Sequence, residues 1–180
     1  MNDRFDVVDG DVSIRDGRIA AIAPTIADAH DRVIDARGGY VLPGLIQTHI
    51  HLCQTLFRGF ADDLPLMDWL RTRVWPMEAA HTPETLRAAA RLASTELLAT
   101  GTTTVLTMET VHDTDAVFDA IAESGLRATI GKCMMDFDAQ VPARLQEDTQ
   151  RSLDESLAIR KRWHGAADDR LHAAFAPRLY

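Results

Sequence analysis

Residues 41–54, VLPGLIQTHIHLCQ, place β-forming residues after Pro43 and Gly44 and end in two histidines one residue apart. Side chains at positions i and i+2 of a strand share one face, so His49 and His51 are predicted to point the same way. Two imidazoles need this geometry to bind one metal ion. The spacing alone is a weak signal, because seven histidines in 180 residues give roughly 0.3 such pairs by chance. Ordinary surface or core histidines therefore remain the alternative at this point.

From residue 39 onward, apolar strands alternate with amphipathic helices, which is typical of parallel β/α units. The predicted strands are YVLPGLIQTHIH, TTTVLTMET, LRATIGKCMMD and LHAAFAPRLY. The predicted helices begin at Thr82 with Pro83 in the first turn, at Asp113 or Thr114, and near Val141, and the last ends at His164. Four such units are half of a (β/α)₈ barrel, and an open sheet of four strands is the alternative.

The histidine pair lies at the C-terminal end of the first predicted strand, which is the end where β/α barrels build their active sites. A catalytic zinc usually takes three protein ligands and keeps a further position for water. Neither His112, which follows the second strand, nor His172, at the start of the fourth, is an obvious third ligand. We therefore expect the remaining ligands to come from residues outside this sequence.

The N-terminal residues 5–23 carry the short runs FDVV, DVSIR and RIAAIAP, separated by Asp-Gly pairs. Such pairs between β-like runs are typical of hairpins, so a small antiparallel sheet is predicted to open the chain.

The composition favours a small-molecule substrate. A net charge of -8 without a Lys/Arg-rich run argues against nucleic acid or an anionic membrane as a partner. No apolar stretch reaches the roughly 20 residues needed to cross a bilayer, and no signal peptide is recognisable, so we expect a cytoplasmic protein without a membrane partner. Cys53 and Cys133 are interpreted as small buried residues in a reducing compartment.

Six motifs carry a family resemblance in the right order along nearly the whole chain: DGRIAAIAP, VIDARGGYVLPGLIQTHIHLCQTLFRG, DDLPLMDWL, WPMEAAHT, GTTTV and AFAPR. Together they resemble the amidohydrolase superfamily, and within it the purine and nucleoside deaminases. That branch includes 5'-deoxyadenosine deaminase, methylthioadenosine/S-adenosylhomocysteine deaminase and guanine deaminase. The resemblance implies a (β/α)₈ TIM-like barrel with a flanking β-sandwich. Residues 1–38 would form the N-terminal part of the sandwich, and residues 39–180 the first half of the barrel.

The resemblance also implies roles for individual residues. His49 and His51 would be two ligands of one divalent metal, zinc or alternatively iron. Glu78, in PMEAAHT, would hold the ribose hydroxyls; without the resemblance it would be interpreted as a solvated loop acid. The further substrate contacts would be Lys132, Arg144 and Arg178, with Trp75 at the pocket edge. The family's other metal ligands and its proton-transferring residues would lie beyond this sequence, so no catalytic residue is assigned within the chain.

The implied function is metal-dependent hydrolytic deamination of a purine or adenosine-type nucleoside, with this chain as the N-terminal portion of a homo-oligomeric enzyme. The motifs GKCMMD, LQEDTQRSLDES and APR favour the 5'-deoxyadenosine type. Guanine deaminase and a chlorotriazine-type hydrolase are alternatives within the class. An inactive truncated paralogue that acts through association with another chain is the alternative outside it. The 180-residue chain alone is expected to be inactive.

Overall fold

A computed structural model describes residue 4 and residues 6–60, 62–136 and 140–178. The chain divides into two compact units, Met1–Pro43 and Gly44–Tyr180. The boundary predicted at residue 38 therefore falls inside the first unit, and the assignment of residues 1–38 to a β-sandwich stays a prediction. Among the described residues, no helix combines the length and apolar character needed to cross a membrane.

The described part of the first unit contains an antiparallel hairpin, formed by β1 (Asp11–Arg15) and β2 (Arg18–Ala23). Asp16 and Gly17 connect the strands with φ values of 51° and 71°. Because both residues adopt the left-handed region, the turn follows the twist of the strands, as the Asp-Gly pair predicted. The strand expected at FDVV is wrong over residues 6–8, which form no strand and pair with none of the described strands.

The second unit contains a four-stranded parallel sheet in the spatial order of the sequence. Its strands are β3 (Leu45–Ile50), β4 (Thr102–Met108), β5 (Arg127–Met134) and β6 (Leu171–Pro177). All four predicted strands are confirmed, although β3 begins after Pro43 and Gly44 rather than at Tyr40. Each strand pairs with the strands next to it in the sequence, as consecutive strands do in a (β/α)₈ barrel.

Helical segments connect these strands. A 3₁₀ turn (Leu52–Phe57) follows β3, and then come α1 (Leu66–Trp69), a π-helical turn (Leu70–Val74), α2 (Trp75–Ala80), α3 (Pro83–Ala99), α4 (Asp115–Ser124) and α5 (Thr149–Trp163). The predicted start of α3 is confirmed, because the Thr82 side chain accepts from the Thr85 N–H and the Thr85 side chain accepts from the Thr82 N–H.

The start of α5 differs from its prediction. The helix expected from Val141 begins at Thr149, because the Asp148 side chain accepts from the Arg151 N–H and caps it there. Leu153 and Leu157, which a spacing of four places on one face of the predicted helix, do not form its buried face. Leu153 and Leu157 are 36% and 52% exposed, whereas the buried positions of α5 are serines.

Two clusters of buried residues organise the second unit. The larger lies between the sheet and α3 and α4, and includes Leu86, Val117, Ile121 and Ile130. The smaller consists of Val74, Trp75, Val111, Cys133, Met135, Val141 and Leu145. Because it joins α2 to the segments that follow β4 and β5, the smaller cluster supports the C-terminal edge of the sheet.

Candidate functional site

His51 follows the last residue of β3 and is half-buried. Its Nδ1 lies 2.7 Å from the main-chain oxygen of Met108, at the end of β4. A carbonyl oxygen can only accept, so Nδ1 carries the proton and donates, and the lone pair of the neutral ring is on Nε2. Burial lowers the pKa of His51, which favours that neutral form. An imidazole anchored in this way is prepared to bind a metal ion through Nε2.

His49 is exposed and lies beside His51. The two ring centroids are 5.1 Å apart and the ring planes are nearly perpendicular, at 86°. The structure thus brings together the two residues that the i, i+2 spacing paired. Within the described parts of the chain, no third His, Cys, Asp or Glu completes a group of ligands with them.

Glu78, on α2, is the centre of a buried polar cluster. Its side chain is 1% exposed, and Arg178 at the end of β6 donates to both of its oxygens over 3.1–3.2 Å. Gln54 donates to Oε1 from Nε2 at 2.9 Å. The fork-shaped guanidinium suits a carboxylate, so charge and hydrogen bonding are both satisfied. Gln54 is not among the site residues predicted from the sequence, where its position three residues after His51 is its only signal.

Trp75 is completely buried, and the Arg178 guanidinium carbon lies 6.0 Å from the centroid of its ring. The ring therefore packs beneath the Glu78–Arg178 pair. The prediction that Trp75 contacts a substrate stays untested.

Lys132, on β5, is buried with all three ammonium donors engaged. Nζ lies 2.5 Å from Glu147 Oε1 and 3.2 Å from both Ser152 Oγ and the Cys133 oxygen. Ser152 also donates to Glu147, which explains why α5 buries serines toward the sheet. All three hydrogen bonds of the Lys132 ammonium are therefore made to groups of this chain. To contact a substrate, as predicted, Lys132 would have to break one of them.

Arg144 is about half exposed and lies in the 3₁₀ turn Ala143–Leu145. Its Nη1 donates to the main-chain oxygen of Ala79 at 3.1 Å, and its Nη2 lies 3.5 Å from Asp113. Arg144 thus contacts α2 one residue beyond Glu78. The structure brings it to the same helix as Glu78 without a direct contact between the two side chains.

A cavity of about 480 Å³ opens beside His51. Its lining includes His51, Gln54, Phe57, Phe60, Trp69 and Arg73. The volume lies within the roughly 300–1,000 Å³ typical of small-molecule sites, and aromatic walls with a few polar groups are the usual composition of such sites. The cavity therefore offers space for a small ligand next to the candidate metal ligands.

A second group of potential ligands consists of His112, Glu147 and Glu155, whose ligand atoms lie within 4.8 Å of one another. Lys132 lies 2.5 Å from Glu147 and 3.9 Å from Glu155. Because Lys132 already pairs with Glu147 and Arg151 pairs with Glu155 at 3.0 Å, a metal ion would have to displace these cations. We assign no metal to this group.

Both cysteines are completely buried. Burial raises the pKa of Cys53 well above its usual value and that of Cys133 to about 12. Both remain thiols near neutral pH, which agrees with the interpretation of these residues as buried packing groups rather than nucleophiles.

His81 holds the 3₁₀ turn after His51 against α3. Its Nε2 lies 2.9 Å from the Cys53 oxygen and its Nδ1 2.9 Å from Thr85 Oγ1. Burial lowers the pKa of His81, although the hydrogen bond to the Cys53 oxygen and the charge of Glu78 oppose the shift. His81 is therefore held neutral in the folded chain.

This pKa shift predicts a pH-dependent stability. The unfolded chain takes up a proton at His81 near its ordinary value of about 6.5, whereas the folded chain does so only at lower pH. The contribution of neutral His81 is thus complete above about pH 6.5 and is lost as the pH falls through the lower folded value. His81→Gln keeps an N–H donor for the Cys53 oxygen but cannot titrate, so its urea midpoint should fall less between about pH 7.5 and about pH 5.

The matched control is His30→Gln, at an exposed position of the first unit, which should keep the wild-type pH dependence. An unchanged slope in His81→Gln would contradict the assignment.

The amidohydrolase family pattern matches residues 40–179. The chain therefore belongs to the amidohydrolase family. Solved structures that this chain resembles are amidohydrolase TIM barrels, and the parallel sheet of the second unit corresponds to part of such a barrel. Amidohydrolase family enzymes generally bind a divalent metal, often zinc.

Several individual proteins that the chain resembles are named as deaminases. The chain is 39% identical over 175 residues to the 5-methylthioadenosine/S-adenosylhomocysteine deaminase of Thermococcus onnurineus, covering 97% of this chain and 39% of the relative. It is 38% identical over 174 residues to the 5'-deoxyadenosine deaminase of Methanobrevibacter smithii, covering 96% and 38%. The solved structure of E. coli guanine deaminase superposes with a TM-score of 0.70 at 34% identity, covering 77% of this chain and 32% of that one. The chain thus spans less than half the length of these relatives.

Proposed function

We propose that this chain is part of a metal-dependent aminohydrolase that deaminates an adenosine-type nucleoside. The observation that carries the proposal is the state of His51, a neutral imidazole anchored through Nδ1 to the Met108 oxygen at the mouth of the sheet. Its Nε2, together with the adjacent His49, fits a divalent metal of the zinc class. The names of deaminases to which the chain is 38–39% identical support this reaction class.

A divalent metal in such a site supplies Lewis acidity and water activated for attack near neutral pH. The residues of this chain would hold that metal and orient the substrate. His49 and His51 would be two of its ligands. The cavity beside His51 would receive the purine, whose flat ring suits the aromatic walls formed by Phe57, Phe60 and Trp69.

Glu78 would orient the ribose. A carboxylate can accept from two neighbouring hydroxyls, and Glu78 is held in place by α2 and by Arg178. In the described structure, Arg178 and Gln54 occupy the carboxylate oxygens. A ribose diol would therefore take the place of one of these donors, and the released Arg178 or Gln54 would be available to contact the substrate.

Proton transfer would require groups outside this chain, as would completion of the metal site, because His49 and His51 supply only two of the usual three protein ligands. β3 and β6 form the two edges of the sheet, and large apolar side chains on them are exposed: Leu45 (62%), Ile46 (67%) and Phe175 (48%). We propose that further barrel strands pair with these edges in the working enzyme. The 180-residue chain alone would not turn over.

Guanine is a second candidate substrate, favoured by Arg178. Its largely buried guanidinium is a fork-shaped donor that matches the O6 and N7 acceptors of guanine, as arginine does in nucleic-acid recognition. The 34% identity to E. coli guanine deaminase supports this alternative.

The test is ammonia release by the zinc-loaded protein that contains this chain, supplied separately with 5'-deoxyadenosine, methylthioadenosine, S-adenosylhomocysteine and guanine. We expect turnover of the adenosine-type substrates. Turnover of guanine alone would replace the leading proposal with the second candidate. Release of ammonia from none of them, in protein shown to carry metal, would contradict both.

A further inference from the structure

Glu109 is a completely buried carboxylate at the C-terminal end of β4. Its Oε2 accepts from the Cys53 N–H at 2.9 Å and its Oε1 from the Leu52 N–H at 3.1 Å. These are the two amides that directly follow His51. One oxygen is therefore assigned to each amide, an arrangement that needs a side chain with two acceptors.

Other residues of β4 hold the same short segment. The Thr107 hydroxyl donates to the Ile50 oxygen at 2.9 Å and also contacts Glu109 Oε1. The Met108 oxygen accepts from His51 Nδ1. The end of β4 thus contacts the main chain before His51, its ring and the main chain after it.

We propose that Glu109 is a positioning residue for His51, a role that rests on the proposed function of His51 as a metal ligand. By holding the amides of Leu52 and Cys53, Glu109 fixes the main chain so that the ring reaches the Met108 oxygen through Nδ1 and presents Nε2 to the metal. Glu109 is completely buried and its oxygens accept from main-chain amides, so the role assigned to it is to position His51 rather than to bind metal or substrate.

The chemistry of the contact requires a carboxylate. Glutamine offers one carbonyl oxygen, so one of the two amides would face an NH₂ group, a donor against a donor. The Cys53 amide would then have no acceptor, or the Leu52 amide would keep only its longer contact with Thr107 Oγ1 at 3.4 Å. Either loss is costly for a buried amide, and the segment would shift to find another partner. That shift would move His51 relative to the Met108 oxygen. Groups that orient a ligand in this way typically change metal affinity by 10–100-fold when they are lost.

The experiment compares Glu109→Gln with Val105→Ala in the protein that contains this chain. Val105 is a buried residue of the same strand whose apolar side chain packs in the large cluster and cannot form a hydrogen bond. The first readout is zinc affinity, by competition with a chromophoric chelator. The second needs no metal: histidine ¹⁵N shifts of the metal-free protein report which nitrogen of His51 carries the proton.

We expect the wild type and Val105→Ala to show His51 protonated at Nδ1 and equal zinc affinity. Glu109→Gln should show a mixture of the two tautomers and bind zinc on the order of 10-fold more weakly or worse. Wild-type affinity and an unchanged His51 signal in Glu109→Gln would overturn the inference, as would an equal loss of affinity in Val105→Ala.

The two proposals fail separately. If the wild type binds no zinc but Glu109→Gln still shows a mixture of His51 tautomers, the proposed metal centre is contradicted and the positioning role of Glu109 is supported. If Glu109→Gln does not fold, Thr107→Val removes the hydroxyl between Glu109 and the Ile50 oxygen and should change the His51 signal in the same direction. An unchanged signal in folded Thr107→Val would then overturn the inference.

Discussion

Replacing His51 with alanine is expected to weaken zinc binding by on the order of 100-fold or more and to abolish metal-dependent ammonia release. The substitution removes a proposed ligand itself, so the effect should reach or exceed the 10–100-fold loss that follows when only an orienting group is removed. Metal content after dialysis and ammonia release at saturating 5'-deoxyadenosine, both measured on the protein that contains this chain, report the two effects.

The control for this prediction is His172→Ala. His172 is also a strand histidine paired with another, since its ring centroid lies 4.8 Å from that of His164, but it is at the start of β6 rather than at the end of β3. Its loss should leave the metal content and the rate unchanged. Full metal content in folded His51→Ala would contradict the assignment of His51 as a ligand.

Replacing Lys132 with methionine is expected to lower the free energy of unfolding by about 3–5 kcal/mol, because it leaves the buried charge of Glu147 without its partner. The Lys132 and Glu147 side chains are only 2% and 1% exposed, so water cannot compensate. Urea denaturation measures the effect. The double variant Lys132→Met with Glu147→Leu should recover much of the loss, since a buried pair replaced by apolar residues is often neutral in stability.

The matched control is Arg151→Met, which breaks the exposed ion pair between Arg151 and Glu155 on α5. Such surface pairs contribute about 0–1 kcal/mol. The Lys132 variant also separates two roles for that residue. A loss of stability, recovered in the double variant, identifies a structural lysine. Unchanged stability with a raised KM for the nucleoside would instead identify the substrate contact that the family resemblance implied.

Local patterns in the sequence predicted the features that depend on nearby residues. The i, i+2 spacing placed His49 and His51 on one face, Thr82 and Pro83 marked the start of α3, and Asp16-Gly17 marked the hairpin turn. In each case the determining interaction lies within a few positions along the chain, so the residue types alone carry the signal.

The features that the sequence did not predict depend on distant partners. Glu78 and Arg178 are 100 residues apart, and Glu109 meets the amides of Leu52 and Cys53 from more than 50 positions away. No spacing rule connects such residues, because their contact exists only once the parallel sheet has formed.

The helix α5 shows how a distant partner reverses a local pattern. A leucine stripe normally faces the core. In α5, the face toward the sheet instead carries Ser152, whose hydroxyl accepts from Lys132 Nζ and donates to Glu147.

The most direct test of the proposed metal centre is anomalous diffraction at the zinc edge from crystals of the zinc-loaded protein that contains this chain. We predict a peak about 2.0–2.1 Å from Nε2 of His51 and at a similar distance from a ring nitrogen of His49. A peak between His112, Glu147 and Glu155, with none at the end of β3, would contradict the account.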